Sequence, residues 1–352
     1  MSEAPPFAVG SEPREGPASL GQSAASTRYR PATRWTRLRL HPAGPVAVMF
    51  AGLLSVCIIA GALIPDRFVF LSPGNITLLL RAVPNYGIVA LGVGLLMIAG
   101  EFDLSVGAVY VVTPFAAAFA YFQGVPLALA LALAIAIAVL IGCLNGIITL
   151  RFGVPSFITT LGMLFIVRTS APFIVGYERS LNFQPPPLFK SILTGNVGPI
   201  PAQFIWYLVL AAIAYLILNR HFIGNHFFAA GGNRLAARYS GISVFRTKML
   251  AFVLSSVFAT IAGIFSITRL STAMTNPQLF IELFAVAICV IGGLSLFGGR
   301  GSIIGVVLGA CVLQVVQDGI ILARLPGFYL DMFVGIMIVV GVVINQVIRR
   351  KY

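Results

Sequence analysis

Ten stretches almost free of charge recur along the chain, at residues 46–64, 76–99, 104–122, 125–150, 156–175, 204–218, 249–267, 281–297, 305–316 and 328–347. A helix needs roughly 20 apolar residues to cross a hydrocarbon core, where every backbone N–H and C=O must be satisfied internally. Continuous apolar runs of this kind do not suit the alternating strands of a barrel. The pattern therefore predicts an all-α, polytopic membrane protein with about ten transmembrane helices. The weakest run, 305–316, is too short alone and is expected to extend through 317–322. Composition closes the soluble alternative, because 59% of the 352 residues are hydrophobic and 9% are charged, against roughly 25% charged in soluble domains.

A net charge of +13 in a soluble protein would suggest nucleic acid. Here the charges lie in the ends and loops, so no nucleic-acid partner is expected. Segments left in the cytoplasm are enriched in Lys and Arg. With residues 1–44 inside, sixteen of the 23 basic residues fall on the cytoplasmic side and five on the other, leaving Arg81 and Arg168 within runs. Both termini are accordingly expected in the cytoplasm. Residues 1–44, rich in Pro, Ala, Ser and Arg, read as a disordered cytoplasmic tail, and 45–352 as the transmembrane domain. Ala60-Gly61-Ala62 resembles a signal-peptidase site, but the preceding region is too long and carries Glu3, Glu12 and Glu15, so the first run is expected to remain a membrane helix. Cys57, Cys143, Cys289 and Cys311 lie in apolar runs without paired spacing and read as free thiols, with no metal site.

Two connections exceed the usual length. The outer one, 176–203, contains Pro185-Pro186-Pro187, Pro199 and Pro201 and reads as a semi-rigid extended cap. The inner one, 219–248, carries five basic residues and no acid. Within it Asn233 suits an N-cap, 234–240 favours two helical turns, and Gly241 suits the left-handed position that ends them. Leu235, Ala236 and Tyr239 would offer an apolar surface, while Arg234 and Arg238, four apart, would share a face and repel mildly. Contact with anionic lipid head groups and docking of a cytoplasmic partner explain such a loop equally well. His221 and His226 read as solvated, since no third ligand lies near.

The run Ala229-Ala230-Gly231-Gly232-Asn233, followed by Ala236-Ala237-Arg238 and Ser240-Gly241-Ile242, resembles the coupling-helix region of ribose-type ABC sugar permeases. Gly100-Glu101-Phe102-Asp103-Leu104-Ser105-Val106-Gly107 is similar to the Gly-Gly-Ile-Asp-Leu-Ser-Val-Gly signature of that family. Asn145-Gly146 with Val154-Pro155-Ser156-Phe157-Ile158-Thr159-Thr160-Leu161-Gly162, and Glu282 through Gly292-Gly293 to Gly298-Gly299-Arg300-Gly301, resemble two further stretches in family order. Three positions depart from the pattern: Glu101 stands for the second glycine, Phe284 for an aspartate, and Arg234 where an acid is common.

The resemblance implies a permease of the type II ABC importer fold in a bacterial cytoplasmic (inner) membrane, translocating a monosaccharide or related polyol. It also implies a second permease copy, an extracytoplasmic substrate-binding protein, and a cytoplasmic ATP-binding subunit docked on Gly231, Gly232, Asn233, Arg234, Ala236, Ala237, Arg238 and Gly241. Bulky residues at Gly232 and Ala236 are expected to uncouple hydrolysis from transport. No G-x-x-x-x-G-K-[ST] is present and the only lysines are Lys190, Lys248 and Lys351, so ATP belongs to the partner and the chain is read as a transport subunit without a cofactor, not an enzyme. Glycines around Glu101 to Ser105 break the apolar pattern, as in a discontinuous helix facing a cavity. Glu101, Asp103 and Ser105, with Asn85, Asn145 and Thr160, could line a polyol path; alternatively Asp103 caps a helix beginning at Leu104. Arg81 and Arg168 are expected to snorkel, or Arg168 to pair with Glu178, and Glu282 is expected at the outer interface. Few acids lie within the runs, which argues against the alternative of an ion-coupled secondary transporter.

Overall fold

The computed structural model describes residues 43–64, 68–175, 177, 180–275 and 280–351. Expectations for the tail, for Arg67, and for Glu178 and Arg179 fall outside them. Among the described residues the helices are α1 (Gly44–Leu63), α2 (Pro73–Ile98), α3 (Val106–Phe122), α4 (Leu127–Arg151), α5 (Ser156–Val175), α6 (Pro187–Thr194), α7 (Ala202–Asn219), α8 (Phe222–Gly232), α9 (Arg234–Tyr239), α10 (Val244–Leu270), α11 (Ile281–Ile291), α12 (Ile303–Leu322) and α13 (Phe328–Lys351). Seven of these, α1, α2, α4, α5, α7, α10 and α12, are long and apolar enough to cross a membrane. Shorter apolar helices occupy the remaining three runs, in α3, α11 and the first part of α13. Each sequence run therefore carries one helix.

Two runs have changed length. The short one extends to Leu322, as expected. The run at 281–297 is cut at Ile291, because Gly292-Gly293 follows and Gly293 takes φ +78°, a conformation that ends a helix. What remains, α11, is only about 16 Å long by helical rise.

The second half of α2, from Ile88 to Ala99, is buried on every side, as suits a central helix. It packs closely on α10: a Cβ built on Gly92 would lie 2.8 Å from Phe258 Cβ. On α4 the inward positions are Ala130, Ala134, Ala138, Ile141 and Asn145, while Leu129, Leu133, Leu140 and Leu144 are exposed. Small residues inward and large apolar residues outward let helices approach closely and leave the leucines for lipid.

At one end of the bundle β1 (Ser180–Asn182) pairs antiparallel with β4 (Thr272–Met274), in the register Leu181 to Ala273. The connection expected to be extended instead holds α6 and a hairpin of β2 (Asn196–Val197) with β3 (Ile200–Pro201). Pro187 opens α6, where its missing N–H costs nothing. The α2–α3, α4–α5, α8–α9 and α11–α12 connections meet at the opposite end.

Candidate functional site: a docking helix over a buried polar cluster

Local capping makes α9 a fixed object. Asn233 Oδ1 accepts from the N–H groups of Leu235 and Ala236, both at 3.0 Å. At the other end Gly241 takes φ +80°, its N–H bonds the Arg238 carbonyl, and the Ile242 N–H bonds the Ala237 carbonyl. That is the paired Schellman closure. Ala237 is buried against Ala230 and Val244, whereas Leu235 is 63% and Tyr239 90% exposed. Sequence had foreseen this helix and its caps. It had missed α8, which begins where His221 Nδ1 accepts from the Ile223 N–H, so the Ala-Ala-Gly-Gly run ends a helix and is not open loop.

Glycine backbones seat α8 and α9 on the rest of the chain. A Cβ on Gly298 would lie 2.6 Å from Gly100 Cα, and one on Gly299 2.6 Å from Gly232 Cα. On Gly231 it would overlap the Ile98 carbonyl oxygen. The Gly299 N–H donates to that same oxygen at 2.9 Å. No side chain fits between these three connections.

Beside the stack, Glu101 accepts from Lys248 Nζ at 2.7 Å and from the Arg234 guanidinium. Lys248, counted above among loop charges, is in fact 1% exposed at the start of the second turn of α10. Arg234 is therefore drawn inward to a carboxylate, and its repulsion with Arg238 is offset. A polar pocket of about 230 Å³ opens here, lined by Glu101, Thr149, Ser156, Arg234 and Arg238 among others.

Beside it lies a hydrogen-bonded cluster of buried side chains. Asp103 Oδ1 accepts from the Ser105 N–H at 2.9 Å and the Ser105 hydroxyl at 2.6 Å. Ser105 Oγ accepts in turn from Asn145 Nδ2 at 2.8 Å. Thr160 Oγ1 accepts from the Leu104 N–H at 3.1 Å, and Ser156 Oγ from the Phe102 N–H at 3.2 Å. Asp103 thus caps the start of α3, which begins at Val106 and not at Leu104. Burial raises the Asp103 carboxyl to about 6, against the pull of its Ser105 hydrogen bonds. Asn145 Oδ1, Thr159 Oγ1 and the Ser256 hydroxyl have no hydrogen-bond partner among the described residues, while the Ser255 hydroxyl lies against the Asp103 carboxylate.

Four of the residues expected on a path, Asp103, Ser105, Asn145 and Thr160, are thus joined. Glu101 belongs with the docking end. Asn85 makes no hydrogen bond to those four, its Oδ1 having no partner among the described residues. Arg81 bonds Asn196 Oδ1 at 3.1 Å. Arg168 faces Glu282, with 3.9 Å between Nη2 and Oε1. Glu282 does not sit at the outer interface: it opens α11 against the first turn of α3, where a Cβ on Gly107 would overlap its carboxylate. The apolar run hid this because a half-length helix starts at depth.

Residues 75–342 match the family model described as branched-chain amino acid transport system / permease component. The chain is 30% identical to the ribose import permease protein of Haemophilus influenzae, over 86% of this chain and 93% of that protein. It is 32% identical to the ribose import permease protein of Bacillus subtilis (84% and 91% covered) and 31% identical to the fructose import permease protein of Rhizobium meliloti (88% and 88%). No solved structure matches the chain.

Proposed function

The chain belongs to this family of transport-system permease components, and from that premise we propose that it is the membrane-spanning subunit of an ATP-driven monosaccharide importer. The relatives import ribose and fructose, and a pentose or hexose is the cargo proposed here. The observation that carries the reading is α9, a doubly capped helix with Leu235 and Tyr239 exposed, seated on glycine backbones over a buried polar cluster. A cytoplasmic ATPase docks on it, an external binding protein delivers substrate to the opposite end, and two copies of the chain form the pathway.

About ten crossings with both termini in the cytoplasm are proposed; the ten helix-bearing runs and the clustering of basic connections at the α9 end support this reading. The unpartnered oxygens of Asn145 and Thr159 suit the hydroxyl donors of a polyol, which supports a path beside this cluster. The test is reconstitution in proteoliposomes with the ATP-binding subunit and binding protein encoded beside it, and uptake of a panel of radiolabelled pentoses and hexoses. ATP-dependent uptake of one of them is expected. Uptake without the ATPase, or of no sugar in the panel, overturns the assignment.

A further inference from the structure

We propose that Glu101 is a positioning residue that ties α9 to the interior, acting as the tension-bearing link of the chain; this rests on α9 being the ATPase-docking element. Three elements meet at its carboxylate. Glu101 lies on the α2–α3 connection, Lys248 on the second turn of α10, and Arg234 is the first residue of α9. Among the described residues, no other hydrogen bond or ion pair joins α8 or α9 to residues 99–105.

The two arms of the link differ in character. The side chains of Lys248 and Glu101 are 1% and 6% exposed, so parting them would strand a charge away from water. Arg234 is 56% exposed and stands at the rim of the polar pocket, so its arm opens and closes at little cost. One arm anchors Glu101 to α10. The other arm is the movable one.

Stacked glycine backbones, with no side chains to interlock, transmit a push through steric contact but offer no resistance to separation. An ion pair resists separation. Outward displacement of α9 is therefore passed inward by Arg234 pulling on Glu101, and inward displacement by Gly231 and Gly232 pressing on Gly299 and the end of α2. Asp103 is two residues from Glu101, and its cluster is bonded to α4 through Asn145 and to α5 through Thr160. Motion of Glu101 thus reaches three helices that surround the buried oxygens.

Uptake per ATP hydrolysed, measured for the assembled complex in proteoliposomes with the sugar it takes up, reads the link directly. Arg234→Gln should lower that ratio roughly fivefold or more, the lower end of typical coupling. Glu101→Gln combined with Lys248→Met, which removes both buried charges together, should lower it as far, and adding Arg234→Gln to that pair should lower it no further. Arg246→Gln, an exposed charge on the same basic stretch outside the link, should leave it unchanged. An unchanged ratio in Arg234→Gln, an equal fall in Arg246→Gln, or a further loss in the triple variant overturns the proposal. If the wild-type complex shows no ATP-dependent uptake, the importer reading fails on its own, and the link is read from unfolding temperatures of the same variants in detergent. Non-additive shifts support it and additive shifts overturn it.

Discussion

Adjacent glycines at the end of α8 should respond oppositely to a single methyl group. Gly231→Ala places a Cβ over the Ile98 carbonyl oxygen, 2.7 Å from Gly299 N and 3.0 Å from the Ala99 carbonyl carbon. Relief requires the backbones to separate, which loses the 2.9 Å hydrogen bond from Gly299 to Ile98. Overpacking of this kind costs about 1–3 kcal/mol and the bond about 1 kcal/mol. Alanine in a helix returns up to about 1 kcal/mol. The net is a loss of about 2 kcal/mol. Gly232→Ala meets nothing closer than Gly299 Cα at 3.8 Å on an exposed position, so it keeps the helical gain without the clash. Thermal unfolding followed with a thiol-reactive dye reads both, since Cys57 and Cys289 are buried and free. Gly231→Ala should unfold roughly 4 °C below wild type, and Gly232→Ala at or slightly above it. Equal shifts for the two variants would refute the stacked-backbone account.

Glu101→Gln alone should destabilise the chain by about 3 kcal/mol, because Lys248 is left buried without a counter-charge; in the same unfolding assay, adding Lys248→Met should recover most of the loss. Asp103→Ala removes the acceptor of two hydrogen bonds at a fully buried helix start and should cost about 2 kcal/mol, read as a lower unfolding temperature together with reduced uptake. Leu235→Ser with Tyr239→Ser should leave unfolding within about 0.5 kcal/mol of wild type, since both side chains are exposed, yet weaken ATPase binding roughly tenfold in a titration of the two purified subunits. Dissipating a proton gradient should leave ATP-driven uptake unchanged, measured with and without an ionophore.

Local chemistry was legible in the sequence and long-range pairing was not. Asn233 and Gly241 announce α9 because caps are built from neighbours in the chain. Each apolar run marks a helix because a lipid solvent imposes its demand on the segment itself. Hydropathy does not register depth, however, so 281–297 read as one full-length helix and Glu282 as an interfacial residue. Glu101 meets Arg234 across 133 residues and Lys248 across 147, with no periodicity to link them. The one signal available was an acid beside Asp103 in a glycine-flanked turn of a basic protein, whose burial demands a cation that sequence alone does not identify.

What neutralises the buried acids bears on where the driving energy enters. An ion-coupled carrier keeps a carboxylate whose charge is completed by the travelling ion. Glu101 is instead held by a lysine and an arginine, both fixed in the chain. Asp103 caps α3, and Glu282 lies in the first turn of α11, where free N–H groups and the helix dipole favour negative charge. Glu282 also faces Arg168, and Gly107 leaves it room to do so. Asp318, near the opposite end, bonds Asn75 at 2.8 Å. Each of these acids has a built-in partner that would compete with a coupling ion. Energy supplied from outside the chain needs a handle, and α9 is the one proposed above: rigid through its caps, apolar and basic on its exposed side, and bonded inward through the single acid that two cations share.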